Sequence, residues 1–191
     1  VNRRWVEDVE RPLRLLDALR VERPALVVLQ NAPPGFDPDG RALPPGAATT
    51  AATRRKWAVT AGHLQRSLFV NALREAPQHY RSAAGEARRR LEYLVERVVL
   101  RERRPVSGLV LVGAIQRDAL QITAGMHGRQ RLDWNSPCRF AGVPAIAVPH
   151  TSKLNRLYNP SQVGEASGDF VRPMLGEGAG DVWWAPQAAD L

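Results

Sequence analysis

Apolar positions along this chain fall into two patterns, and the two alternate. Ala25-Leu26-Val27-Val28-Leu29 is an unbroken apolar run of strand length, with Arg23-Pro24 before it and Asn31 after it. Runs without polar alternation suit strands buried on both faces, as in parallel sheets. Ser67-Leu68-Phe69-Val70, Leu109-Val110-Leu111-Val112 and the run from Val143 to Val148 repeat that signal. Helical periods lie between them. From Gly85 to Arg104, Ala87, Leu91, Leu94, Val95, Val98 and Val99 share one face. Thr53 to Gly62 reads as a helix stopped by Gly62, and Gly113-Ala114 turns into a helix through Leu120. Leu13, Leu15, Leu16 and Leu19 mark an opening helix over 12–22. A loop rich in Pro and Gly runs from Asn31 to about Gly46, and ordered loops of that length usually serve a function.

Strands separated by helices predict an α/β fold. The expected architecture is a three-layer α/β/α sandwich around a central, mainly parallel sheet of four strands. One domain is expected over 1–191, with its core at about 25–156 and a C-terminal extension at 157–191. In such folds ligands bind beyond the carboxyl ends of the strands. Asn31, Asn71, Gly113 and His150 fall at those four exits.

Composition narrows the chemistry. The chain has 191 residues and a net charge of +8, and arginine makes up nearly all of its 27 basic residues. Arginine's planar fork suits phosphate, which leans toward nucleic acid; a GC-rich coding sequence explains the same bias equally well. In the helix from Gly85, Arg88, Arg89 and Arg97 alternate with Glu92 and Glu96, which favours a solvated face of Glu–Arg pairs over a DNA-binding stripe. The single cysteine, Cys138, excludes an internal disulfide and a four-cysteine metal site. His63, His79, His127 and His150 show no metal-ligand spacing, so no cofactor is expected. Without a membrane-length apolar run or a signal-peptide pattern, the chain is expected to be soluble and cytoplasmic, with no membrane binding.

The richest segment follows the last apolar run. His150 is delivered to the mouth of a polar loop, Thr151-Ser152-Lys153-Leu154-Asn155-Arg156. Histidine suits charge work near neutral pH, and Ser152, Lys153 and Arg156 suit phosphate. Leu154, set among polar residues, has the character of a wedge that levers a base from a duplex. A strand ending in a solvated turn is the competing account.

The order of these pieces resembles the uracil-DNA glycosylase superfamily over roughly Ala25 to Arg156. Leu29-Gln30-Asn31-Ala32-Pro33-Pro34-Gly35, followed by Asp39-Gly40-Arg41-Ala42-Leu43-Pro44, is similar to its first motif. Phe69-Val70-Asn71-Ala72-Leu73 with Pro77 looks like its strand-end asparagine, and Val112-Gly113 to Ala119-Leu120 like its following turn and helix. His150-Thr151-Ser152-Lys153-Leu154 stands where the family has His-Pro-Ser and a wedge loop. Two departures stand out. Several branches carry a carboxylate where this chain has Asn31; the mismatch-specific and single-strand-selective branches use asparagine there. Leu43 falls where a base-stacking aromatic is expected, leaving Phe36 as an alternative stack. The four-cysteine cluster of the thermophile-type branch is absent.

The resemblance implies hydrolysis of the N-glycosidic bond of uracil or a related damaged base by a nucleoid-associated monomer, with damaged DNA as partner. It assigns catalysis to Asn31, holding water, and His150, stabilising the departing base. Asn71, Leu43 and Phe36 would recognise the base, and Ser152, Lys153, Leu154 and Arg156 would contact DNA. Asp37 or Asp39 in the first loop is an alternative carboxylate. Other expectations are a relative with another base specificity and a DNA-binding relative without catalysis.

Overall fold

A computed structural model of the chain describes residues 25–29, 48–60, 63–64, 67–71, 80–96, 106–123, 132–151, 161–175 and 189–190. The expected helix at 12–22 and the segments holding Asn31, Phe36, Asp37, Asp39 and Leu43, and Ser152 to Arg156, lie outside the described residues.

The fold is mixed α/β. In chain order the elements are β1 (Ala25–Leu29), α1 (Ala48–Trp57), β2 (Ser67–Asn71), α2 (Tyr80–Leu94), β3 (Gly108–Val112), α3 (Ala114–Thr123), β4 (Pro137–Phe140), β5 (Val143–Val148), α4 (Ser161–Leu175) and β6 (Ala189–Asp190). Among the described residues the strand order is β2-β1-β3-β5-β4-β6, six strands where the sequence predicted four. The four expected runs lie side by side and are mutually parallel: β1 pairs with β2 and β3, and β3 pairs with β5. The additional β4 pairs antiparallel with β5 and parallel with β6. Ala141 and Gly142 join β4 to β5 with φ of 48° and 78°. Two consecutive left-handed residues make the tight turn whose twist matches that of paired strands.

The apolar runs are buried as their composition requires. All five residues of β3 are buried, and so are five of the six in β5. Alternate residues along these strands enter two separate clusters. Leu109, Leu111, Val143 and Ala145 pack with Ala83, Ala87, Leu91 and Leu94 of α2 and Ile115, Ala119 and Leu120 of α3. Val110, Val112, Ile146 and Val148 pack with Trp57 at the end of α1 and Val171, Met174 and Leu175 of α4. The helix α4 occupies the region expected to be an extension. Its sequence carries Gly164, Gly168 and Pro173, which hide the helical signal, yet its apolar face completes the second cluster.

Helix boundaries differ from expectation for local reasons. The helix expected over 53–62 runs instead from Ala48 to Trp57. Its stop is Ala58, in the left-handed region at φ 50°, and the Val59 N–H reaches back to the Arg54 carbonyl at 3.0 Å. Glycine usually takes that position, and here alanine fills it. Helix α2 begins at Tyr80 rather than Gly85, since one interior glycine costs a helix only about 1 kcal/mol. On its polar side Arg88 Nε meets Glu92 Oε1 at 2.8 Å and Arg90 Nε meets Glu86 Oε1 at 3.5 Å. The Arg88–Glu92 pair, exposed on both sides, agrees with a solvated face and adds little stability, whereas the Arg90 side chain is largely covered. Among the described residues no helix is long and apolar enough to cross a membrane.

Candidate functional site

Parallel register sets the exits of four strands in one row. Leu29 is level with Asn71 on one side and Val112 on the other, and Val112 is level with Val148. Asn71, Gly113 and His150 therefore share the carboxyl edge of the sheet, as the sequence pattern implies. At β3, Gly113 turns strand into helix within one residue. Its φ of 104° is open to glycine and strained for side chains. Its N–H extends the ladder to the Val148 carbonyl at 2.9 Å, and its carbonyl accepts the Arg117 N–H at 3.1 Å.

His150 follows two buried residues, Val148 and Pro149, and is itself half-buried. The next residue, Thr151, is 3% exposed and fastened from across the fold. Its hydroxyl lies 2.6 Å from that of Thr53, which is 1% exposed on α1. A buried hydroxyl pair of this kind gives each oxygen a partner that water cannot supply. It also clamps the histidine loop to α1. Lys56 stands one helical turn beyond Thr53, so it shares that face.

The electrostatics follow from this packing. Burial, and then the positive charge of Lys56, hold the His150 imidazole below its ordinary pKa of 6.5. Lys56 is itself lowered, by partial burial and then by Arg55 beside it. Near neutral pH the lowered value leaves the His150 imidazole neutral, carrying one N–H donor and one acceptor. A neutral donor held in a half-buried place suits stabilisation of negative charge that develops during a reaction.

The rim beyond β5 is built by the 132–136 loop, because antiparallel β4 begins at the edge where β5 ends. Asn135, at φ 62°, donates its N–H to the Ala147 carbonyl at 2.9 Å. Its side-chain oxygen accepts the Ser167 hydroxyl at 2.8 Å, tying α4 to the same rim. Arg117 lies over the Trp134 ring at 4.4 Å from its centroid, closing α3 against this loop.

Of the residues singled out from sequence, the structure brings Asn71, Gly113 and His150 to one edge. Asn31, Phe36, Leu43, Ser152, Lys153, Leu154 and Arg156 lie outside the described residues. His63 has a structural role: its Nδ1 faces the Thr60 N–H at 3.0 Å while its own N–H faces the Thr60 hydroxyl at 3.3 Å. This reciprocal arrangement caps the turn that follows. Sequence reading passed over Thr53, Lys56, Trp134, Asn135 and Ser167. The visible signal for Lys56 was the basic last turn Arg54-Arg55-Lys56, which also complements the carboxyl end of its helix. No protein-family model matches the chain, and no curated protein matches it.

Proposed function

We propose that the chain is a monofunctional DNA glycosylase that hydrolyses the N-glycosidic bond of uracil or a related damaged base, acting as a monomer without a metal. The supporting observation is His150. It stands half-buried at the exit of a central strand, kept neutral by burial and by Lys56, in the row that also holds Asn71 and the Gly113 turn. Two core clusters drawing on alternate residues of β3 and β5 support the three-layer α/β/α reading that the function rests on.

In this reading the bond from sugar C1′ to the base breaks with its electron pair moving to the base. Positive charge builds on the sugar and negative charge on the base. His150 donates to the base where that negative charge collects. Water adds to C1′ and releases its proton to solvent, with Asn31 orienting the water; an amide cannot take the proton as a carboxylate does. Asn71 offers both a donor and an acceptor to the base edge. Leu154 fills the space left by the flipped base while Ser152, Lys153 and Arg156 hold phosphates.

The test incubates purified protein, in EDTA, with single- and double-stranded oligonucleotides carrying a panel of modified bases, and scores abasic sites. The expected result is release of at least one deaminated or oxidised pyrimidine. His150→Ala should slow release by about two to three orders of magnitude. Leu154→Ala should slow release from duplex more than from single strands, where little stacking must be broken. Binding to the oligonucleotides with no base released anywhere in the panel would favour a DNA-binding protein without catalysis.

A further inference from the structure

We propose that the outward stripe of α1, carried by Arg54 and Arg55, is a contact surface for the phosphate backbone of DNA, separate from the loop after His150. The choice of DNA among polyanions rests on the glycosylase reading; the basic surface does not. Burial divides α1 into two faces. Ala52, Thr53 and Trp57 are at most 2% exposed and turn inward, whereas Ala51, Arg54, Arg55 and Ala58 are exposed. That spacing forms a single stripe along the helix. Alanine on either side of the two arginines leaves both guanidiniums open to a partner. The stripe is also fixed to the candidate site. Thr53, next to Arg54, meets the Thr151 hydroxyl at 2.6 Å, one residue past His150.

Charge distinguishes this stripe from the other described helices. Arg88 meets Glu92 at 2.8 Å, Arg90 meets Glu86 at 3.5 Å and Arg172 meets Asp169 at 2.5 Å. Helix α1 contains no acidic residue, so neither Arg54 nor Arg55 has a carboxylate three or four positions away on it. Capping does not account for them. A helix carboxyl end carries only about half a negative charge. Arg172 already serves that end of α1, its Nη1 donating to the Trp57 carbonyl at 3.2 Å. Two further full charges on an exposed face, in a chain of net charge +8, are complementary to a polyanion. Each guanidinium presents a planar fork that fits a phosphate, and each contact releases counterions from the backbone.

The experiment titrates a fluorescent, undamaged DNA duplex with the full chain at several salt concentrations. The variants are Arg54→Gln with Arg55→Gln, and Arg54→Lys with Arg55→Lys. The control is Arg89→Gln on α2, an exposed arginine with Glu86 and Glu92 three positions to either side. Losing two phosphate contacts should flatten the slope of log affinity against log salt by about two, so the affinity lost between about 50 and 200 mM salt shrinks roughly tenfold. The lysine pair should keep most of the parental slope, and Arg89→Gln should keep all of it. Melting temperatures should agree throughout, because the altered side chains are exposed. A glutamine pair with the parental slope, or a parent that does not bind the duplex, overturns the proposal whether or not base is released. So does a glutamine pair that binds DNA as the parent does but loses binding to duplex RNA or to phosphatidylserine–phosphatidylcholine vesicles. A flattened slope on DNA, in a chain that releases no base from any modified oligonucleotide, upholds the surface and refutes the glycosylase reading.

Discussion

Replacing Gly168 by alanine pits two opposite effects against each other, and the structure decides between them. Inside a helix alanine is ordinarily better than glycine by about 1 kcal/mol. At Gly168 of α4, however, a Cβ would lie 2.7 Å from the Trp57 carbonyl oxygen and 2.6 Å from Arg172 Nη1. The arginine tip can swing aside, though it then gives up its 3.2 Å hydrogen bond to that same carbonyl. The carbonyl is backbone at the end of α1, and the Trp57 ring behind it is 1% exposed. The two helices must therefore separate by several tenths of an ångström. Overpacking of this kind costs about 1–3 kcal/mol, which outweighs the gain in helix propensity and leaves a net loss of about 1–2 kcal/mol. Gly85→Ala is the internal control. Its Cβ meets only Arg89 Nη1 at 3.8 Å, an ordinary contact, so that variant should gain about 0.5–1 kcal/mol. Urea denaturation of both variants, with the m-value checked for constancy, reads the difference directly. A Gly168→Ala protein as stable as the parent would refute the close approach of α4 to α1.

Three further outcomes follow from the same geometry. Thr53→Val leaves the buried Thr151 hydroxyl without its partner and should cost about 1–3 kcal/mol in urea denaturation, while the double variant with Thr151→Val recovers most of that loss. Ala58→Gly should stabilise by about 0.5–1 kcal/mol, because φ 50° suits glycine; no gain in denaturation midpoint would count against the left-handed stop of α1. The lowered pKa of His150 makes stability pH-dependent. Between the folded value and the ordinary 6.5 the unfolded chain binds the extra proton, so stability is full above 6.5 and falls as pH drops through the folded value. Denaturation midpoints compared at neutral and mildly acidic pH should fall further for the parent than for His150→Gln, and equal falls would remove His150 as the cause.

The central strands were legible because burial on both faces leaves an apolar run with no competing pattern. The runs at Ala25–Leu29 and Val143–Val148 match β1 and β5 from end to end. β4 escaped notice because Pro137-Cys138-Arg139-Phe140 is short and only alternately buried. α4 escaped because glycines serving close helix contact also erase helix propensity, as Gly168 illustrates. His150 was visible because its strand pointed to it. The tie between α1 and the His150 loop was not, since it comes from a contact between Thr53 and Thr151 that no local pattern records.

The turn at Ala141 and Gly142 bears on how the molecule assembles. Every parallel pairing among β1, β2, β3 and β5 joins strands with at least one helix between them, whereas β4 and β5 meet across two residues. Closing so short a turn is far faster than closing a crossover, and hairpins form within about 1–10 microseconds. The strand that carries His150 thus acquires its first partner locally, and the parallel strands, with the rest of the carboxyl edge, are added to an element that already has a direction and a register.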